Sequence, residues 1–249
     1  MESSISGIAV AWLPIVAVFV LAGLVKGVIG LGLPTVAMAL LALAMPPAEA
    51  AALLLVPSLL TNVWQCRPWR DLPALLRDTW PLQLGIAIGT LGIGAWLGPP
   101  AGVLAGGLLG AVLAAYALIG LRGWRWTGAS HRSGLPAGLA TGALTAMTGV
   151  FVVPAVPWLQ GRIAERARLV QAMGLAFTVA TLALGAQLAL HGALAAGRVG
   201  ASLLLVLPAL LGMALGGWLR GRLSDVVFRR CFFGGIGALG LWMLLRTFA

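Results

Sequence analysis

The sequence predicts an all-α polytopic membrane protein built as an inverted repeat, in which each half has a broken, re-entrant helix pair followed by three transmembrane helices. Three observations lead to this fold class. The composition is 61% hydrophobic and 9% charged, too little charge to cover a soluble domain. The apolar residues form continuous runs of spanning length, and the basic residues cluster in short loops between those runs.

Apolar runs long enough to cross about 30 Å of hydrocarbon recur along the whole chain. They indicate helices rather than barrel strands, because a transmembrane strand alternates polar and apolar residues. The uninterrupted runs are 8–25, 27–45, 48–64, 80–98, 102–121, 169–190, 199–219 and 231–248. A further run, 135–159, contains Gly149 and Pro154, which predict an interruption inside it.

The net charge of +10 comes mainly from four short basic loops. Basic loops between spans are typical of the cytoplasmic side, so this charge indicates topology rather than a nucleic-acid partner. The loops contain Arg67, Arg70 and Arg77; Arg122, Arg125 and Arg132; Arg162, Arg166 and Arg168; and Arg220, Arg222, Arg229 and Arg230.

Two short segments of the first half recur in the second half in the same order. "AGLVKG" at 22–27 recurs as "AGLATG" at 137–142, and "GAWL" at 94–97 recurs as "GGWL" at 216–219. The pattern predicts an internal repeat.

The loop charges predict that the two repeats are inverted. If 135–159 crossed the membrane as one helix, two of the basic loops would face outward. If it breaks near Gly149 and returns, every basic loop stays inside. The predicted organisation is a first transmembrane repeat at 1–121, a cytoplasmic linker at 122–134 and a second, inverted repeat at 135–249.

Inverted repeats with broken helices are typical of secondary transporters, which bind substrate where the broken ends meet. The first predicted break lies in "AGLVKGVIGLGLP" at 22–34. A helix that starts at Pro34 or soon after, and another near Val150, would each direct free N–H groups and a partial positive charge toward a break. Two such ends predict an anion site.

Lys26 is the only lysine in the chain and lies just before the first predicted break. It either adds a full positive charge to the anion site or extends its ammonium to the membrane interface. The amides and hydroxyls near the breaks either bind the anion or bond neighbouring helices and backbone. The candidate substrate-binding residues are Lys26, Gly30, Gly32, Thr35, Asn62, Gln65, Thr148, Gly149 and Gln171, with Thr145 close by.

Several functional classes are disfavoured by what the sequence lacks. It has six acidic residues, and all but Glu49 lie in the N-terminal segment or in the basic loops, so a buried cation site is not expected. With two histidines and two cysteines, we expect no metal site and no cofactor. We find no intramembrane nucleophile or acid–base pair, so an enzyme is not expected.

Four segments resemble the TauE/SafE sulfite exporter family of membrane permeases, which is also known for sulfonate uptake. They are "GLVKGVIGLGLP" near the start, "PSLLTNVWQ" at 57–65, "TGVFVVPAVPWLQ" in the second half and "LVQAMGLAF" after it. The resemblance extends over essentially the whole chain. It implies transport of a small sulfur-containing anion such as sulfite, a sulfonate or sulfoacetate.

The leading hypothesis is therefore a secondary transporter in the cytoplasmic membrane that works by alternating access. The alternatives are an uncoupled anion channel and a membrane scaffold without transport activity. The expected partners are the anionic substrate and the lipid bilayer, without nucleic acid. The sequence leaves the oligomeric state open, a homodimer included, and it leaves open whether the anion is exported or taken up.

Overall fold

The computed structural model describes residues 2–194, 196–222 and 224–248. The regular structure of these residues is α-helical except for one 3-10 turn at Trp69–Asp71, which confirms the all-α prediction. The helices are α1 Glu2–Ile29, α2 Leu33–Leu41, α3 Pro47–Gln65, α4 Leu72–Leu97, α5 Gly102–Arg122, α6 His131–Thr148, α7 Ala155–Arg162, α8 Arg166–Leu190, α9 Ala196–Leu204, α10 Val206–Leu219 and α11 Asp225–Phe248.

Seven helical segments of the described chain are long and apolar enough to cross a membrane. Large apolar side chains lie exposed on them: Leu104 is 85% exposed and Trp96 80% exposed. A soluble domain would bury such residues, so these faces suit contact with lipid. The segments are Trp12–Ile29, Pro47–Gln65, Trp69–Leu97, Gly102–Arg122, Arg166–Leu190, Gly197–Leu219 and Val226–Thr247.

The first broken pair consists of α1 and α2, and residues 30–32, called the first break, separate them. Gly30 and Gly32 have φ angles of 79° and 116°, which glycine adopts without steric cost. α2 begins one residue before the predicted Pro34. The Gly30 carbonyl accepts a hydrogen bond of 2.7 Å from Gln65 at the end of α3. Because α2 leads from this point to the start of α3, it runs back along α3.

The second broken pair consists of α6 and α7, and residues 149–154, called the second break, separate them. The sequence predicted a helix start near Val150, which is wrong, since α7 begins at Ala155. The proline at the end of this break delays the helix, because proline disfavours helical backbone at the residue before it. α7 runs back toward the start of α6, where the Trp158 indole N–H donates to Ser133 Oγ at 2.9 Å.

A capping box sets the start of α6. Ser130 Oγ accepts from the Ser133 N–H at 3.3 Å, and Ser133 Oγ accepts from the Ser130 N–H at 3.0 Å. α6 consequently begins at His131, within the predicted linker 122–134.

Glycines spaced four residues apart bring α1 against α10 and α4 against α6. A Cβ atom added to any of these glycines would overlap backbone of the partner helix. Small residues at this spacing let two membrane helices approach closely, so each pair packs backbone to backbone. The glycines are Gly23 and Gly27 on α1, Gly212 and Gly216 on α10, Gly85 and Gly89 on α4, and Gly138 and Gly142 on α6.

α3 and α8 lie side by side in antiparallel directions. Gly174, early in α8, lies against Gln65 at the end of α3, whereas Gly185, later in α8, lies against Leu55. α5 and α11 are antiparallel by the same reasoning, through the contacts Gly107–Thr247, Gly110–Gly240 and Gly120–Phe233. The first of these pairs carries the candidate residues Asn62, Gln65 and Gln171.

Candidate functional site

Lys26 lies buried between helices, four residues before the first break. Its side chain is 3% exposed, and its ammonium donates a hydrogen bond to Asn62 Oδ1 on α3. Asn62 in turn donates from Nδ2 to Thr181 Oγ1 on α8 at 3.3 Å. The ammonium therefore points into the protein and does not extend to the membrane interface. Lys26, Asn62 and Thr181, called the Lys26 network, connect α1, α3 and α8.

Thr181 was not among the residues selected from the sequence. Its hydroxyl donates to the Phe177 carbonyl at 2.7 Å within α8, as an isolated threonine in an apolar helix commonly does. Only the antiparallel packing of α3 on α8 brings it to Asn62, so no local sequence pattern could have identified it.

Gln65 holds the backbone at the first break, and Gln171 holds the segment that follows α3. Gln65 Nε2 donates to the Gly30 carbonyl at 2.7 Å and to the Val170 carbonyl at 2.8 Å. Gln171 Nε2 donates to the carbonyls of Cys66 at 2.9 Å and Pro68 at 2.8 Å. Both amides use their two N–H groups on main chain of another segment, which is the helix-bridging role.

The hydroxyls beside the second break are bonded to their own helix. Thr148 Oγ1 donates to the Leu144 carbonyl at 2.6 Å and accepts from the Val150 N–H at 3.2 Å. Thr145 Oγ1 donates to the Thr141 carbonyl at 2.7 Å. These threonines therefore stabilise the end of α6 in this conformation.

Gly149 ends α6 in a left-handed conformation, with a φ of 73°. A Cβ atom added there would lie 3.1 Å from Met38 on α2 and 3.5 Å from Ala51 on α3. The second break thus packs against helices of the first half.

Thr35 lies in the first turn of α2, directly after the first break, and is fully buried. Its hydroxyl has no hydrogen-bond partner among the described residues. A buried hydroxyl without a partner is costly, and the Thr35 O–H is a donor that no described residue uses.

An aromatic contact links the second break to the Lys26 network. Phe151, in the break, lies 5.1 Å from Phe177 between ring centroids. Phe177 is one turn before Thr181 on α8, and its carbonyl accepts the Thr181 hydroxyl. The second break and the Lys26 network therefore contact the same stretch of α8, from Phe177 to Thr181.

Three ion pairs, two of them made by Asp78, join separate helices at the edges of the bundle. Asp78 on α4 accepts from Arg162 Nε at 3.2 Å, and Arg168 Nη2 lies 3.8 Å from its other carboxylate oxygen. Glu49 on α3 pairs with Arg198 Nη2 at 3.0 Å. Sequence reasoning did not pair these residues, because their partners lie far away along the chain.

The described residues contain no group of three or more His, Cys, Asp or Glu side chains that could hold a metal ion. The charged group in the candidate site is the Lys26 ammonium, so its chemistry favours an anion over a cation.

Comparison with known proteins identifies the family. A family model described as "Sulfite exporter TauE/SafE" matches residues 15–243, which is most of the chain. No curated protein and no solved structure matches the chain. The match confirms the family that the four sequence segments resemble, and the seven candidate spans agree with a membrane location. The chain belongs to the TauE/SafE sulfite exporter family, whose members are membrane transporters and not enzymes.

Proposed function

We propose that this protein is a secondary transporter that moves a small sulfur-containing anion, such as sulfite, a sulfonate or sulfoacetate, by alternating access. The anion binds beside Lys26, between the two breaks. Membership of the TauE/SafE family supports the anionic substrate class. A membrane potential that is negative inside favours export of such an anion.

The burial of the Lys26 ammonium carries this proposal. Among the described side chains, Lys26 bonds to the neutral amide of Asn62, and no carboxylate lies within ion-pair distance of it. A charge inside a membrane protein is costly unless an opposite charge balances it. A bound anion supplies that balance. Thr35, whose buried hydroxyl has no partner, adds a donor at the start of α2.

The packing of the helices supports an inverted repeat. α9 and α10 together form one candidate span, Gly197–Leu219. When the spans of the two halves are matched in chain order, α1 corresponds to α6, and α4 corresponds to α9 with α10. The contact of α1 with α10 then corresponds to the contact of α6 with α4, and both are glycine-mediated. The pairs α3–α8 and α5–α11 join each helix to its own counterpart in antiparallel orientation, as a two-fold axis in the membrane plane requires.

The glycine contacts suggest a different repeat alignment at the fourth helix of each half. "GIAIG" at 85–89 and "GMALG" at 212–216 make equivalent contacts with the broken helices. The predicted match of "GAWL" with "GGWL" aligns glycines that make different contacts. Gly94 lies against Gln187, whereas Gly216 lies against Leu24.

Cysteine labelling tests the inverted orientation. Ala164 and Gly221 lie in basic loops and are exposed, and Ala189 lies exposed at the other end of α8. With Cys231 replaced by serine, a membrane-impermeant maleimide should label cysteines at positions 164 and 221 from the cytoplasmic side only. A cysteine at position 189 should be labelled from the opposite side. Labelling of 164 and 221 from the outside would refute the inverted topology.

Transport by purified protein in liposomes tests the function. We expect saturable uptake of radiolabelled sulfite or sulfoacetate that accelerates when the vesicles are preloaded with the same unlabelled anion. Lys26→Gln keeps a hydrogen-bonding group near Asn62 but removes the charge, so anion affinity should fall tenfold or more. Lys26→Arg should restore it only in part, because guanidinium and ammonium geometries differ.

Arg77→Gln is the matched control, because it removes one exposed positive charge away from the breaks and should leave affinity unchanged. Unchanged affinity in Lys26→Gln would remove Lys26 from the site. Flux that neither saturates nor responds to preloading would indicate a channel. Absence of flux for every sulfur anion tested would favour the scaffold.

A further inference from the structure

A cavity of about 420 Å³ lies at the arginine-rich end of the helix bundle. Parts of both halves enclose it: the end of α5, the loop after it, α7, the start of α8 and α11. Its polar lining residues include Tyr116, Gln160, Arg125, Arg166 and Arg229, and no Asp or Glu among the described residues lines it. The cavity therefore combines several positive charges with hydrogen-bond donors.

Tyr116 supplies a polar group that nothing in the described protein uses. The residue is 2% exposed and lines the cavity, and its hydroxyl has no hydrogen-bond partner among the described residues. Its ring packs edge-on against Phe233, with centroids 5.2 Å apart. A purely structural residue here would be phenylalanine, because a buried hydroxyl without a partner destabilises the fold.

Arg229 is held at the cavity by backbone. Its Nη2 donates to the Gly120 carbonyl on α5 at 3.1 Å. This bond joins α11 to the end of α5 and keeps a guanidinium near Tyr116. Guanidinium groups bind oxyanions through directed, charge-assisted hydrogen bonds, so the lining suits an anionic head group.

The cavity also reaches the first break. Ile29 and Leu31 form part of its wall, and Gly30 between them donates its N–H to the Lys26 carbonyl at 2.8 Å. The inner wall is thus one helical turn from Lys26, which is itself buried. An anion in the cavity would be separated from the Lys26 network by the apolar residues of the break.

We propose that this cavity is a second anion site, in which the Tyr116 hydroxyl and the surrounding arginines bind the oxyanion on the cytoplasmic side before it passes the first break to Lys26. The proposal rests on the transport function proposed above. The ligand class is a small oxyanion such as sulfite or a sulfonate. The phosphate of a lipid head group offers similar chemistry, and the experiment separates the two sources.

Isothermal titration calorimetry of the full-length protein in detergent, with sulfite and sulfoacetate, tests the second site. In Lys26→Gln we expect residual weak binding that the cavity provides. Adding Tyr116→Phe, which removes one oxygen and keeps the ring, should weaken this residual binding at least fivefold. Adding Arg229→Gln should do the same, whereas Arg230→Gln, an exposed neighbour outside the cavity lining, should leave it unchanged.

Transport kinetics give a second measurement. In oriented vesicles, Tyr116→Phe alone should raise KM at least threefold for anion presented at the cytoplasmic face, with KM from the other face unchanged. If the residual binding is equal with and without the Tyr116 hydroxyl and KM is also unchanged, the second site is overturned. Transport by the wild-type protein would in that case still support the proposed function. Loss of the residual binding when anionic lipid is added would assign the cavity to a lipid phosphate. Absence of anion binding and flux in wild-type protein would instead overturn both proposals.

Discussion

Asn62→Asp would place a carboxylate where the Lys26 ammonium now meets a neutral amide oxygen. The two side chains have nearly the same shape, and Asn62 is fully buried, so the helix packing around it should persist. The new negative charge balances Lys26 from within the protein. We therefore expect a folded protein that binds anions poorly.

The expected loss follows from the Coulomb interaction between the new carboxylate and a bound anion. At an effective dielectric constant of about 20, two unit charges about 4 Å apart interact by about 4 kcal/mol. Since about 1.4 kcal/mol corresponds to a tenfold change, the affinity for the anion should fall about a thousandfold. Lys26 already donates a hydrogen bond to Asn62, so the variant gains only the opposite charge, and we expect its midpoint of thermal unfolding to be at or above that of wild type.

Calorimetric titration of the detergent-solubilised variant measures the affinity, and thermal unfolding measures the stability. Gln83→Glu is the matched control, because Gln83 is a buried amide on α4 that bonds to Thr79 at 3.2 Å and not to Lys26. The control should keep most of the anion affinity. If Asn62→Asp binds the anion as tightly as wild-type protein, the anion does not bind at the Lys26 network.

Four further predictions concern the stability of the fold, and the midpoint of thermal unfolding measures each. Gly142→Val should lower the free energy of unfolding by about 1–3 kcal/mol, because the valine side chain would overlap the α4 backbone. Gly106→Ala should raise the free energy of unfolding by about 0.5–1 kcal/mol, because the new methyl group meets nothing within 4 Å and alanine favours the helix more than glycine does. An unchanged midpoint in Gly142→Val would contradict the close packing of α4 on α6. Asp78→Asn should lower the free energy of unfolding by about 2 kcal/mol, because it weakens a largely buried ion pair with Arg162. A midpoint equal to that of wild type would mean that this ion pair does not stabilise the fold. Glu49→Gln should cost about 0–1 kcal/mol, because both members of its ion pair are well exposed, and a larger loss would show that the pair holds α9 in place.

The helix breaks were accessible from sequence because their causes are local. Gly30 and Gly32 adopt positive φ angles, and Gly149 ends α6 in a left-handed conformation. Glycine in an otherwise apolar run predicts such positions without knowledge of the partners. The start of α7 was predicted near Val150 rather than at Ala155, because the effect of the intervening proline on the backbone before it was not taken into account.

The roles of the candidate polar residues depended on partners distant in the chain. Gln65, Gln171 and Asn62 are all amides in or next to apolar runs of the sequence. The N–H groups of the two glutamines donate to main-chain carbonyls, whereas the Asn62 side-chain oxygen accepts from Lys26. Each outcome depends on which group of a neighbouring helix lies opposite. That register follows from packing along entire helices, which a short segment does not encode.

The amino-acid sequence alone was enough to assign the class of protein, because the burial of apolar residues in lipid depends on composition and run length, and both can be read from the sequence. It also determined the family and the positions of the breaks. The packing of the helices, by contrast, directs the Lys26 ammonium inward to Asn62 and places Tyr116 in the lining of a cavity with Arg229. Those placements result from contacts between helices that are distant along the chain, and the close packing of the whole bundle sets which side chains meet.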